Sequence, residues 1–183
     1  MSAYHIVLVH FPIALWTTAA LAILVRALSD GGFAKACDRA LVPLLALSVV
    51  MGALAYVVGL NVWPLETLTS TPLGRNHMLA ASWSLAYWAI VTLVRWRAGE
   101  AVWDGVGRWV MLGIAGLGAG LLTVTGTLGG HLTGTATAVS QVLRVLGWEV
   151  YTTFYVPDMT LIAIGVAIAA LVAVGILGAR RAA

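Results

Sequence analysis

The chain has 183 residues, of which 61% are hydrophobic and 9% are charged, and its formal net charge is +3. Soluble globular domains carry about 25% charged residues, so this composition excludes an ordinary soluble domain. The ten basic residues form no basic runs, which gives no footprint for nucleic acid. Long apolar runs cross a lipid bilayer as helices because backbone polar groups must pair internally there, and we therefore expect an all-α integral membrane protein.

Five apolar runs are long enough to span a membrane, which takes about 20 residues for a helix. The first run lacks a preceding basic segment, so we expect it to be retained rather than cleaved as a signal peptide. Pro12 falls within its first two turns, where proline is tolerated or kinks the helix. The sequence predicts a single membrane domain over residues 1–183 as a five-helix bundle, with spans over residues 6–28, 41–60, 77–94, 109–128 and 159–177.

Two further stretches have distinct patterns. The fourth span is rich in glycine, which allows another helix or a flat ligand to approach its backbone closely. Val139, Val142, Leu143 and Leu146 repeat at helical spacing, which predicts an interfacial amphipathic helix over residues 137–150. Aromatic residues follow and would anchor this helix at the membrane surface. These are Trp148, Tyr151 and Tyr155.

The basic residues predict how the chain is oriented. Arg75 and Arg144 fall on one face, and the other eight fall on the face that holds the first-to-second loop, the third-to-fourth loop and the C-terminus. Because cytoplasmic loops carry the excess of Lys and Arg, we expect a cytoplasmic C-terminus and a periplasmic N-terminus in a bacterial inner membrane.

All four histidines then fall near the periplasmic face, on three different spans. They are His5, His10, His77 and His131. Ionisable side chains within spans are costly and usually mark function. His10 lies about 7.5 Å deeper than His5 and about 140° around the helix, so the two rings suit separate sites or opposite flanks of one site.

Imidazole rings bind haem iron, copper, zinc and nickel, and two rings from different helices can hold a haem. The four histidines predict two bis-histidine b-type haems, with His10–His77 and His5–His131 as one possible pairing. Arg75 and Arg144 are the candidate partners of the haem propionates, and Asn76 could support a ligand through a hydrogen bond.

Two alternatives stay open at this stage. The same histidines could bind or transport copper or zinc, with Met78 and Met159 as possible thioether ligands. Glu66, Glu149 and Asp158 are carboxylates on the same side, although their spacing matches no motif. Alternatively, the histidines are interfacial and structural, and the glycine-rich fourth span packs against a larger membrane complex. Cys37 is single and forms no internal disulfide.

Three motifs resemble a known family. They are His5 with His10-Phe-Pro-Ile in the first span, His77 at the start of a later span, and Thr125-Gly-Thr-Leu-Gly-Gly-His131-Leu. Over residues 5–135 the chain is similar to the bacterial membrane proteins catalogued as domain of unknown function 2231. Thr133 and Gly134 follow where members often have Val-Tyr and a basic residue. The resemblance implies a four-helix membrane core, and the fusion of some members to cytochrome c domains implies haem and electron transfer.

Together these observations predict a b-type cytochrome-like subunit rather than a hydrolytic enzyme, since the sequence has no phosphate loop, zinc-protease motif or nucleophile elbow. We expect it to carry electrons within an oxidoreductase complex without being the catalytic subunit. Its expected partners are a periplasmic cytochrome c or dehydrogenase subunit, and quinone.

Overall fold

The computed structural model describes residues 2–154 and 158–182, with side chains in the last helix for residues 158–170 and 173. Most of these residues form α-helices, five form a short 3-10 helix, the others lie in the connections, and none of them lies in a strand. The elements are α1 (Ser2–Leu28), α2 (Gly32–Gly59), α3 (Leu65–Thr69), α4 (Pro72–Ala98), the 3-10 helix (Gly99–Trp103), α5 (Gly107–Leu132), α6 (Val139–Val145) and α7 (Asp158–Ala182).

Four helices are long and apolar enough to cross a membrane: α1, α2, α4 with the 3-10 helix, and α5. In the most apolar 18-residue stretch of each of these helices, at most 28% of the residues are buried inside the protein. The outer faces of the four helices are therefore free to contact lipid. The prediction of a multi-pass helical membrane protein is confirmed at this level. In α7 the described apolar part, Asp158–Ala170, is shorter than a span. Tyr155 and the side chains of Arg180 and Arg181 lie outside the described residues.

The four long helices form a closed bundle. α1 packs against α2 and α5, and α4 packs against α5 and α2, which places α1 diagonally opposite α4. Buried side chains at spacings of three and four residues form the core, among them Trp16, Ile23, Leu45, Trp88 and Met111. In a second buried cluster, which includes Leu128, Leu143 and Trp148, the segment around α6 packs against the start of α4 and the end of α5.

The helices extend beyond the apolar runs that predict them. α2 begins at Gly32, so the polar stretch before residue 41 is helical rather than a loop. α4 begins at Pro72, where Thr71 accepts a hydrogen bond from the backbone N–H of Gly74 at 3.1 Å. α6 is shorter than the predicted interfacial helix, because Gly147 adopts a φ of 83° and turns the chain.

Candidate functional site

A cavity of about 450 Å³ lies between the four long helices, at the end of the bundle where α1 and α4 begin and α2 and α5 end. His5, His10 and His77 line this cavity. Pockets that bind small molecules and cofactors usually measure about 300–1,000 Å³, so its size suits an organic ligand.

The walls of the cavity are mainly apolar, and its floor is aromatic. Trp16 lines it three turns below His5 and stacks on Trp88, with ring centroids 6.0 Å apart and planes 10° apart. Ser84 and Thr125 also line the cavity, and their hydroxyls share a hydrogen bond of 2.8 Å. Such a site can hold a largely apolar ligand at a small number of polar positions.

His5 joins α1 to α2. Its Nδ1 lies 3.0 Å from the carbonyl oxygen of Ala55. One turn further along α2, a Cβ at Gly59 would lie 2.7 Å from Cε1 of the His5 ring. Only glycine therefore lets this imidazole lie so close to the α2 backbone.

His77 joins α4 to α5 in the same manner. Its Nδ1 lies 3.1 Å from the carbonyl oxygen of Thr125, and a Cβ at Gly129 would lie 3.0 Å from Cε1 of its ring. A carbonyl only accepts hydrogen bonds, so Nδ1 donates in both histidines and Nε2 of the neutral ring keeps its lone pair. Neither Nε2 forms a hydrogen bond with the residues that the structure describes.

The other two histidines have different surroundings. His10 is exposed on the flank of the cavity, and its Nδ1 lies 2.6 Å from the carbonyl oxygen of Ile6 in its own helix. His131 is not part of the cavity lining; its Nδ1 lies 2.8 Å from the Tyr151 hydroxyl. The structure thus brings three predicted ligands together around one cavity and places the fourth beside a tyrosine.

Neither arginine predicted to bind haem propionates lines the cavity. Arg75 lies over the ring of Phe154, with its guanidinium carbon 5.0 Å from the ring centroid. Arg144 forms an exposed ion pair of 2.9 Å with Glu149. Their predicted role therefore has no contact in the structure that supports it.

The remaining candidate ligands are dispersed. Asn76 donates its side-chain N–H to the carbonyl oxygen of Thr153. Met78 lines the cavity, whereas Met159 is exposed on α7. Over residues 2–154 and 158–182, no three His, Cys, Asp or Glu side chains form a group suited to a metal ion.

Sequence reasoning missed two features of the bundle. It treated close approach to glycine as a property of the fourth span and took Gly59 only as the end of the second span, not as a contact of His5. It also missed a buried cluster at the opposite end, where Asp38 accepts hydrogen bonds from Arg95 and Trp103. A signal for the first feature was present, since Gly59 and Gly129 both lie in the last turn of a long helix, one turn after the backbone carbonyl that holds a histidine.

These observations define the class of the protein: a multi-pass α-helical membrane protein with a histidine-lined cavity at one end of a four-helix bundle. No family model, curated protein or solved structure matches the chain. The resemblance to domain of unknown function 2231 rests on the motifs quoted above.

Proposed function

We propose that this protein is a b-type cytochrome-like electron-transfer subunit in which His5 and His77 would hold one haem. The observation that carries the proposal is the shared arrangement of these two rings. Both line one apolar cavity, and each donates Nδ1–H to the backbone carbonyl of a neighbouring helix. Histidines that bind metals almost always engage their second ring nitrogen in this way, which orients the ring and leaves Nε2 for the metal.

The residues present fit a haem group. His5 and His77 come from different helices and line one mainly apolar cavity, a donor set that would suit haem iron. When bound, haem b would supply one-electron redox chemistry. The chain would orient the axial rings, exclude water with its apolar walls, and raise ligand basicity through the carbonyls of Ala55 and Thr125.

This proposal replaces the two haems predicted from the sequence with one. His5 and His77 share a cavity, whereas His131 lies outside the cavity lining and His10 is exposed on its flank. We therefore leave His10 and His131 outside the coordination of the iron.

The membrane arrangement that goes with this function has five spans, with α7 as the fifth, and α6 at the membrane surface. The helix ends opposite the cavity carry most of the basic residues, which favours a cytoplasmic location for that end of the bundle. The cavity would then face the periplasm of a bacterial inner membrane. A periplasmic cytochrome c or dehydrogenase subunit, and quinone, are the proposed exchange partners within a larger complex.

Copper or zinc binding is the second candidate function. The free Nε2 atoms of His5 and His77 would bind these ions as well as haem iron, and the thioether of Met78 lines the same cavity. Elemental analysis distinguishes the two candidates, because haem binding brings stoichiometric iron.

The test is the absorption spectrum of the detergent-purified protein, oxidised and then reduced, after expression with haem supply. We expect a Soret band and low-spin b-type bands in the reduced protein. His5→Ala and His77→Ala should each lose most of the bound haem, whereas His131→Ala should keep it. Stoichiometric copper or zinc without iron would favour the second candidate. A protein that binds neither haem nor metal would contradict both.

A further inference from the structure

The bundle consists of two equivalent halves, α1–α2 and α4–α5. In the first helix of each half, His77 follows His5 by 72 residues, and Trp88 follows Trp16 by the same 72 residues. Both histidines line the cavity, and both tryptophans are buried and stack on each other. Both indole N–H groups are also buried without a hydrogen-bond partner among the described residues.

The second helices of the two halves correspond in the same manner, with a separation of 70 residues. Ala55 and Thr125 are one such pair, and their carbonyl oxygens accept the two histidine hydrogen bonds. Gly59 and Gly129 are another, and each lies against one of the two imidazoles. The whole arrangement of histidine, carbonyl and glycine therefore occurs twice.

The buried positions also correspond when the sequences of the two halves are aligned with these separations of 72 and 70 residues. In the first helices the buried pairs include Pro12–Ser84, Trp16–Trp88, Ala19–Val91 and Ile23–Arg95, and in the second helices Leu41–Met111, Leu45–Ala115, Ser48–Gly118 and Gly52–Leu122. The packing of the helices agrees, because α1 contacts α5 as α4 contacts α2. An approximate two-fold axis therefore runs through the cavity, between the stacked tryptophans.

Only two of the four histidines occupy equivalent positions in the two halves. The position equivalent to His10 is Ser82, which shares a hydrogen bond of 2.7 Å with the hydroxyl of Tyr56. The position equivalent to His131 is Asn61, which follows the end of α2 and donates its side-chain N–H to the carbonyl oxygen of Val57. Of the four histidines, His5 and His77 alone form a pair that the axis relates.

We propose that Gly59 and Gly129 are a matched pair of positioning residues, which hold the two imidazoles against their helices and set the orientation of both rings toward one ligand on the axis. The identity of that ligand rests on the proposed function, whereas the ring positions do not. A methyl group at residue 59 or 129 would lie 2.7 Å or 3.0 Å from the imidazole carbon Cε1. The ring must then move away from the helix, which lengthens its hydrogen bond to the carbonyl.

The experiment compares Gly59→Ala and Gly129→Ala with Gly116→Ala and Gly120→Ala. The control glycines lie in α5, where an added Cβ meets open space, so they report the effect of helix propensity alone. The first measurement is the ¹⁵N spectrum of labelled histidine in haem-free protein. We expect Gly59→Ala to shift the His5 resonances and Gly129→Ala the His77 resonances, with both unchanged in the controls.

The second measurement is the haem affinity and the low-spin electron paramagnetic resonance signal, which depends on the relative orientation of the two axial rings. We expect each of the two variants to weaken haem binding by about 10- to 100-fold, the range for groups that orient a metal ligand. Both should change the resonance signal, and the double variant should bind haem less tightly than either.

A double-mutant cycle keeps the test decisive if a variant is unstable. Gly59→Ala should destabilise the wild-type chain more than it destabilises the His5→Ala chain. The His5→Ala chain has no imidazole for the added methyl group to crowd. The inference is overturned if neither glycine, or only one of the two, affects its histidine. A chain that binds no haem but shows the expected histidine shifts would contradict the proposed function and leave this inference standing.

Discussion

Asp38 and Arg95 form a buried ion pair at the end of the bundle opposite the cavity. The Arg95 guanidinium donates to both carboxylate oxygens at 2.8 Å, and the Trp103 indole N–H donates to one of them at 2.8 Å. Both charged side chains are almost fully buried. A buried charge that loses its partner is expensive, so removal of either member of this pair should destabilise the packing of α2 against α4.

We expect Asp38→Ala to lower the free energy of unfolding by about 3–5 kcal/mol, because it leaves the Arg95 guanidinium buried and unpaired. Unfolding of the detergent-solubilised protein, followed by circular dichroism, measures the change. Asp104→Ala is the matched control, since Asp104 is an exposed carboxylate close to the same end. Equal stability of the two variants would show that Asp38 does not support the bundle.

Asp30 lies in the turn between α1 and α2, at the same end of the bundle as Asp38, and forms ion pairs with Arg26 and Arg108 at the surface. The hydrogen bond from Arg26, followed by that from Arg108, holds the pKa of the Asp30 carboxyl below its ordinary value of 3.8. The unfolded chain therefore takes up this proton at a higher pH than the folded chain does. The stability that the carboxylate contributes is complete above 3.8 and is lost as the pH falls through the folded pKa.

Asp30→Asn should remove this part of the pH dependence. We expect wild-type protein to lose more stability than the variant as the pH falls below 3.8, by a small amount because the carboxylate is exposed and screened by solvent. Unfolding midpoints of both proteins over an acidic pH series measure the difference. Parallel curves for the two proteins would exclude a contribution from this carboxylate.

At the scale of helices, hydropathy predicts which segments form the long helices and where α1 and α2 end, but not where α2 begins or where α4 begins and ends. The apolar runs over residues 6–28 and 109–128 lie within α1 and α5. The first turns of α2 are polar, and the Asp38 side chain is buried there because Arg95 from a distant segment pairs with it. That partner cannot be identified from local sequence, so the first turns of α2 read as a loop.

For the candidate site, the sequence predicts which residues meet at one end of the bundle but not which of them form a pair. Counting spans places all four histidines at one end of the bundle, and three of them do line the cavity there. Pairing them requires the direction in which each ring points, and that direction depends on Gly59, Gly129 and two backbone carbonyls on neighbouring helices. A pattern within one span carries no information about such contacts, although the repeated separation of the two halves does.

At the scale of the whole molecule, the bundle has two unlike ends. The cavity and its histidines occupy one end, and the other holds the ion pair of Asp38 with Arg95 and the ion pairs of the exposed Asp30 with Arg26 and Arg108. Since basic residues accumulate on the cytoplasmic side, this asymmetry predicts a periplasmic cavity. Under the proposed function, electrons would then reach the cavity from the periplasm or from the outer leaflet.

Cysteine labelling in intact cells tests this orientation. In a Cys37→Ser background, we expect a membrane-impermeant maleimide to label Glu66→Cys, near the cavity end, and to leave Glu100→Cys unlabelled until the membrane is opened. Both glutamates are exposed, which makes them a matched pair. With α7 as a fifth span, a reporter fused after residue 183 should share the side of Glu100. The reverse labelling pattern would place the cavity in the cytoplasm and would remove the basis for a periplasmic electron donor.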